Sequence, residues 1–121
     1  MDRKRNLVFF RNYFNEFLYE QKEGVKEKID YVLFLVTTAE RIPKKFFSYI
    51  DCTEGLFEIR IEFESNIYRI FCCIDEGNIV ALFNGFQKKT QKTPISEIQR
   101  ALSIKSEYFN LKNLKRESNE S

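Results

Sequence analysis

The sequence predicts an α+β protein: a twisted, mostly antiparallel sheet with two N-terminal helices and a C-terminal helix. Three observations lead there. Apolar residues recur at helical spacing early in the chain and again near its end. Between these stretches the period falls to two, in runs separated by short turn-like segments. The runs follow one another directly, so hairpins rather than helical crossovers join them.

Each element has its own justification. Residues 5–10, RNLVFF, form a short first strand. Phe14, Phe17 and Leu18 share one helix face, giving a helix over about 12–22. After Gly24, the residues Val25, Ile29, Val32, Leu33 and Val36 repeat at amphipathic spacing, giving a helix over about 24–40 that Pro43 terminates. Phe46, Phe47 and Ile50 form a short apolar turn that packs inward. In Leu56–Glu64, Phe57, Ile59, Ile61 and Phe63 face one way, and Glu58, Arg60, Glu62 and Glu64 face the other. Strands over 67–74 and 79–86 follow turns at Ser65-Asn66 and Glu76-Gly77. Thr93 caps the last helix and Pro94 opens it, with Ile95, Ile98, Ala101, Leu102 and Phe109 on its apolar face to about residue 109. One domain is expected over 1–111, with a polar, frayed tail over 112–121.

Hairpins centred on those turns set a register. Glu62 then lies opposite Arg69, Arg60 opposite Phe71, Arg69 opposite Asn84, and Ile67 opposite Phe86. One face, carrying Ile59, Ile61, Tyr68, Ile70, Cys72, Ile79, Ala81 and Phe83 among others, becomes the core under the early helices. The other carries Arg60, Glu62, Arg69, Phe71, Asn84, Phe86 and Lys88. Forked guanidinium groups suit phosphate, and aromatic rings suit unstacked bases, so this face suits single-stranded RNA. A cross-strand Glu62–Arg69 ion pair on a merely solvated face is the competing expectation.

Charge and composition narrow the chemistry. Residues 1–85 carry 12 cationic and 14 acidic side chains, whereas 86–121 carry 8 and 4, a shift from net −2 to net +4. The densest basic cluster, Lys88-Lys89-Thr90-Gln91-Lys92, attracts phosphates. With no His in 121 residues, there is no His base, no Ser-His or Cys-His dyad and no His metal ligand. The three cysteines, Cys52, Cys72 and Cys73, lack CxxC spacing and read as reduced thiols. No metal site and no cofactor is expected. No apolar run approaches the roughly 18–20 residues of a membrane span, so a cytoplasmic protein is expected.

The series Gly55-Leu56-Phe57-Glu58-Ile59-Arg60, Tyr68-Arg69-Ile70-Phe71 and Leu82-Phe83-Asn84-Gly85-Phe86-Gln87-Lys88-Lys89-Thr90-Gln91-Lys92-Thr93-Pro94, followed by Glu97-Ile98, Ala101 and Tyr108, resembles the RelE/ParE toxin superfamily, closest to its HigB-like, phage-related branch. The resemblance covers about residues 7–109; the G-F-x-K-K-T-x-K-T-P run carries most of its specificity. It implies the toxin of a type II toxin–antitoxin pair, acting as a metal-independent, ribosome-dependent mRNA endoribonuclease that inhibits translation. The alternatives it leaves are a ParE-like DNA gyrase poison and a degenerate module that only binds antitoxin. The implied partners are a cognate antitoxin, expected to be of helix-turn-helix type, and mRNA on the ribosome. The implied catalytic groups are Arg60, Arg69, Lys88 and Lys89, with Asn84, Phe86 and Lys92 binding RNA. RelE-type enzymes often use a late Tyr or His in proton transfer; here the late tyrosine is Tyr108.

Overall fold

The computed structural model describes residues 2–89 and 94–120. In chain order the elements are β1 (Asn6–Phe9), α1 (Tyr13–Tyr19), α2 (Glu23–Thr38), β2 (Phe47–Tyr49), β3 (Phe57–Phe63), β4 (Asn66–Asp75), β5 (Ile79–Lys88) and α3 (Ile95–Glu120). The strands form one sheet in the order β1-β5-β4-β3-β2. Among the described residues, the β1–β5 pair is parallel and the other neighbours are antiparallel. The α+β fold with two early helices and one late helix is therefore the observed one.

Two apolar layers flank the sheet rather than one. On one face, Phe14 and Phe17 of α1 and Val25, Ile29, Val32, Leu33 and Val36 of α2 pack against Ile59, Ile61, Tyr68, Ile70, Cys72, Val80 and Leu82. On the other, Ala101 and Ile104 of α3 pack against Leu56, Phe71, Cys73, Ala81 and Phe83. Strands buried on both sides read as continuous apolar runs, and Ile70–Cys73 and Val80–Phe83 are such runs.

The segment at Phe46–Ile50, expected to be a turn, supplies edge strand β2, which pairs Phe47 with Ile59 and Tyr49 with Phe57. The last helix also runs on to Glu120, through the segment expected to fray. Ion pairs hold it there: Lys112 Nζ reaches Asp75 Oδ2 at 2.7 Å, and Arg116 reaches Glu76 Oε1 at 3.0 Å. Thr93, the expected cap, lies outside the described residues.

The strand register also differs from expectation, and the turns explain how. The β3–β4 turn is Glu64-Ser65, both at positive φ (48° and 67°), closed by the Phe63–Asn66 pair. Such a two-residue turn matches the natural strand twist. It shifts the register by two residues, so Arg60, not Glu62, lies opposite Arg69, and Glu58 lies opposite Phe71. A shift of two preserves each residue's face. The β4–β5 loop has an odd length, with Asp75 opposite Ile79. That reverses the faces near the loop, placing Ala81 and Phe83 beneath α3 instead of with Ile70. Between Ile70 and Cys72 a bulge sets Phe83 and Asn84 of β5 against Phe71 alone. The extra residue restores the expected faces beyond it: Arg69 opposes Phe86, and Ile67 opposes Lys88.

Candidate functional site

Past the bulge, three strands carry one row of side chains: Arg60 on β3, Arg69 on β4 and Phe86 on β5. The next row, Glu62, Ile67 and Lys88, lies toward the β3–β4 turn. On the loop-distal side Glu58 lies opposite Phe71. The register thus gathers Arg60, Arg69, Phe86 and Lys88 from three separate stretches of sequence.

The charges in this group are partly committed. Arg69 is paired with Glu58, and both side chains are largely buried, at 12% and 14% exposure. Ser48 on β2 donates its hydroxyl to the same Glu58 oxygen at 3.4 Å. Arg60 pairs along its own strand with Glu62 at 3.6 Å. The expected Glu62–Arg69 pair does not form, because the register places Ile67 opposite Glu62. Among the described residues, the Nε–H groups of Arg60 and Arg69 are buried without an acceptor. An unmade buried donor costs about 1–3 kcal/mol, so both guanidinium groups favour an incoming acceptor.

Lys88 feels this environment directly. Burial pushes its ammonium pKa below the ordinary value, and the cations of Arg69 and Arg60 push the same way, while Glu58 opposes them. A lysine with a lowered pKa supplies more neutral amine near neutral pH than an ordinary one.

The remaining expected residues separate. Phe86 stacks on Phe71 with centroids 5.5 Å apart and rings 22° from parallel, and is partly buried against the layer beneath α3. Lys89 is exposed just beyond β5. Asn84 is not an open contact: it is buried in the bulge, where its amide reaches Glu97 Oε2 on α3 at 3.4 Å. Lys92 lies outside the described residues. Tyr108 is committed elsewhere, donating to Asp75 Oδ2 at 2.8 Å. Burial and that carboxylate both raise its pKa, which disfavours proton exchange near neutrality.

Two lysines absent from the sequence reading flank the row. Lys28 of α2 and Lys45, together with Arg60, Phe46 and Glu62, line a hollow of about 150 Å³. They lie 17 residues apart in sequence and far from Arg60, so no local spacing signals their convergence. Gly85 has a supporting role: a Cβ there would sit 2.6 Å from the Phe17 ring. Its absence lets α1 close onto β5 directly behind Phe86.

The cysteines are free, with Cys72 and Cys73 buried and Cys52 exposed. Burial raises the thiol pKa at Cys72, and brings Cys73 to about 11, so neither is an activated nucleophile. No described helix is long and apolar enough to cross a membrane.

The model of the family described as "Phage derived protein Gp49-like (DUF891)" matches residues 16–106. The chain belongs to this family. The Gp49-like family is a RelE/ParE-like toxin family. Its match begins within α1 and ends within α3, so it spans the whole Arg60–Arg69–Phe86 row and Lys88. No curated protein matches the chain.

Proposed function

We propose that this Gp49-like protein is the toxin of a type II pair, a HigB-like, metal-independent endoribonuclease that cuts mRNA on the ribosome. The observation that carries this reading is the placement of Arg60, Arg69 and Lys88 on one sheet face, with two guanidinium donors unsatisfied and a lysine whose pKa is lowered.

The chemistry follows from those groups. The 2′-oxygen of the substrate attacks the adjacent phosphorus as its proton leaves. The bond from phosphorus to the 5′-oxygen breaks, and that oxygen takes up a proton. The products are a 2′,3′-cyclic phosphate and a 5′-hydroxyl. Lys88 as neutral amine accepts the first proton; as ammonium it donates the second. Arg60 and Arg69 remain protonated and meet the negative charge that grows on the phosphoryl oxygens. Glu58 holds Arg69 in place rather than acting as a base, because its carboxylate is already paired. Phe86 stacks on a base. Lys89 and Lys92 hold the flanking backbone.

The ribosome enters for a physical reason. A domain this small has few groups for ordering RNA, and holding the reacting atoms in line accounts for much of a barrier. A cognate antitoxin, with acidic charge against the basic face, restrains the enzyme. A helix-turn-helix protein encoded beside this one is its expected form, and the site of action is the cytoplasm.

The test is purified protein added to translating ribosomes and to the same mRNA free of ribosomes, followed by mapping of cut ends. Cutting on ribosomes only, ending in cyclic phosphates, supports the proposal. Intact mRNA in both samples, with gyrase inhibited in a supercoiling assay, overturns it in favour of a ParE-like poison.

A further inference from the structure

Beside the Arg60–Arg69–Phe86 row lies a cleft of about 430 Å³ between α1, the end of β5 and α3. Phe86 lines it and also ends the row. Strand β5, which contributes Phe86 to the cleft, is the sheet neighbour of β4, which carries Arg69. Its walls carry charge of both signs. Glu16 comes from α1 and Glu20 is the residue that caps its C-terminus, while Lys89 lies just beyond β5 and Arg100 comes from α3.

Among the described residues, none of these four groups has an ion-pair or hydrogen-bond partner. Arg100 lies over the Tyr13 ring, its guanidinium carbon 5.8 Å from the centroid, at the edge of the same cleft. Opposite charges that line one space and do not meet leave room for a ligand that answers both. That ligand needs donors on one edge, acceptors on another and a flat face for Phe86.

Guanine has this arrangement and the other bases do not. Its Watson–Crick edge offers two adjacent donors, N1–H and N2–H, which a carboxylate accepts together. Its Hoogsteen edge offers two acceptors, O6 and N7, which an arginine fork or a lysine donates to. Adenine and cytosine mix donor and acceptor on their pairing edges. Uracil has a single donor between two carbonyls.

We propose that this cleft is a guanine subsite, taking the base of a nucleotide next to the phosphate held by Arg60 and Arg69. Glu16 or Glu20 reads the Watson–Crick edge, Arg100 and Lys89 read the Hoogsteen edge, and the Phe86 ring that lines the cleft carries the base. The subsite rests on the RNA-cleaving reading above and gives that reaction a base preference.

The experiment titrates the isotope-labelled full-length protein with GMP, AMP, CMP and UMP, followed by amide chemical shifts. The same protein is titrated with single-stranded RNA hexamers of uridine that hold one G or one A. The expected result is GMP bound at least tenfold more tightly than the other three, with shifts centred on 85–89 and α1. The G-containing hexamer should outcompete the A-containing one by a similar factor. Glu16→Gln, Glu20→Gln and Arg100→Gln, all at exposed positions, should each shrink the G-over-A ratio several-fold, the two glutamates reporting separately on which one reads the base. Hexamers bound without base preference would overturn the guanine subsite and leave the RNA reading standing. GMP bound in the cleft without affinity for any hexamer would do the reverse. No binding by any of these ligands would overturn the guanine subsite, and the mapping of cut ends on ribosomes would still decide the RNA-cleaving reading.

Discussion

Removing Arg69 should destabilise the fold as well as the chemistry, and the structure sets the size of the effect. Glu58 and Arg69 are paired with side-chain exposures of only 14% and 12%. Arg69→Met leaves Glu58 with the Ser48 hydroxyl at 3.4 Å as its remaining partner. Breaking a buried pair from one side costs about 3–5 kcal/mol. The positive charge of Lys88, which lies within electrostatic reach of Glu58, brings this case just below that range, to about 2–3 kcal/mol. At roughly 4 °C per kcal/mol for a domain of this size, Tm should fall by about 8–12 °C. Glu58→Leu combined with Arg69→Met removes both charges, and the double variant should lie within about 1 kcal/mol of wild type. Glu58→Leu alone should cost a similar amount, so the coupling from a full cycle should be about 3–5 kcal/mol, measured by urea unfolding monitored through circular dichroism. Additive single effects, or Arg69→Met with an unchanged Tm, would refute the pairing. The same result governs the growth assay. Arg69→Ala should abolish growth inhibition, but only a folded variant makes that a statement about the site.

Four further outcomes follow from particular contacts. Gly85→Ala places a Cβ 2.6 Å from the Phe17 ring, so it should cost about 1–3 kcal/mol, and Phe17→Leu in the same chain should recover part of that in a melting experiment. Burial would raise the Asp75 pKa, but hydrogen bonds from Lys112 and Tyr108 outweigh it and hold it below 3.8. Its contribution to stability is therefore full above that ordinary value and is lost as pH falls through the lower folded value; acid titration of Asp75→Asn should show a weaker loss than wild type. Because the Lys88 pKa lies below 10.5, RNA affinity should fall on alkaline titration at lower pH than in Lys88→Arg, and coincident curves would remove Lys88 from the interface. Contacts from Arg60, Arg69, Lys88 and Lys89 to three or four phosphates should give single-stranded RNA binding a log–log salt slope of about −2 to −3.

The sequence by itself determined most of the elements and most of their faces, missing edge strand β2 and the full length of α3. Period-two alternation in Phe57–Phe63 and the spacing of Val25, Ile29, Val32 and Val36 report local geometry, since side-chain direction repeats with the backbone. The Arg60, Arg69, Phe86 and Lys88 face was legible for the same reason: the first turn moved by one residue, the register by two, and parity survived. Tertiary structure decided what parity cannot see. The odd β4–β5 loop and the bulge at Phe71 cancel each other beyond the bulge and not before it, so Ala81 and Phe83 changed sides while Phe86 did not. Asn84 is buried at the bulge, where it and Phe83 together oppose Phe71, and its amide reaches Glu97. The Glu58–Arg69 pair, the flanking Lys28 and Lys45, and the cleft of Glu16, Glu20, Lys89 and Arg100 all join residues distant in sequence. Their meeting depends on which helix covers which face, and that is set by burial of the whole apolar surface rather than by any local pattern.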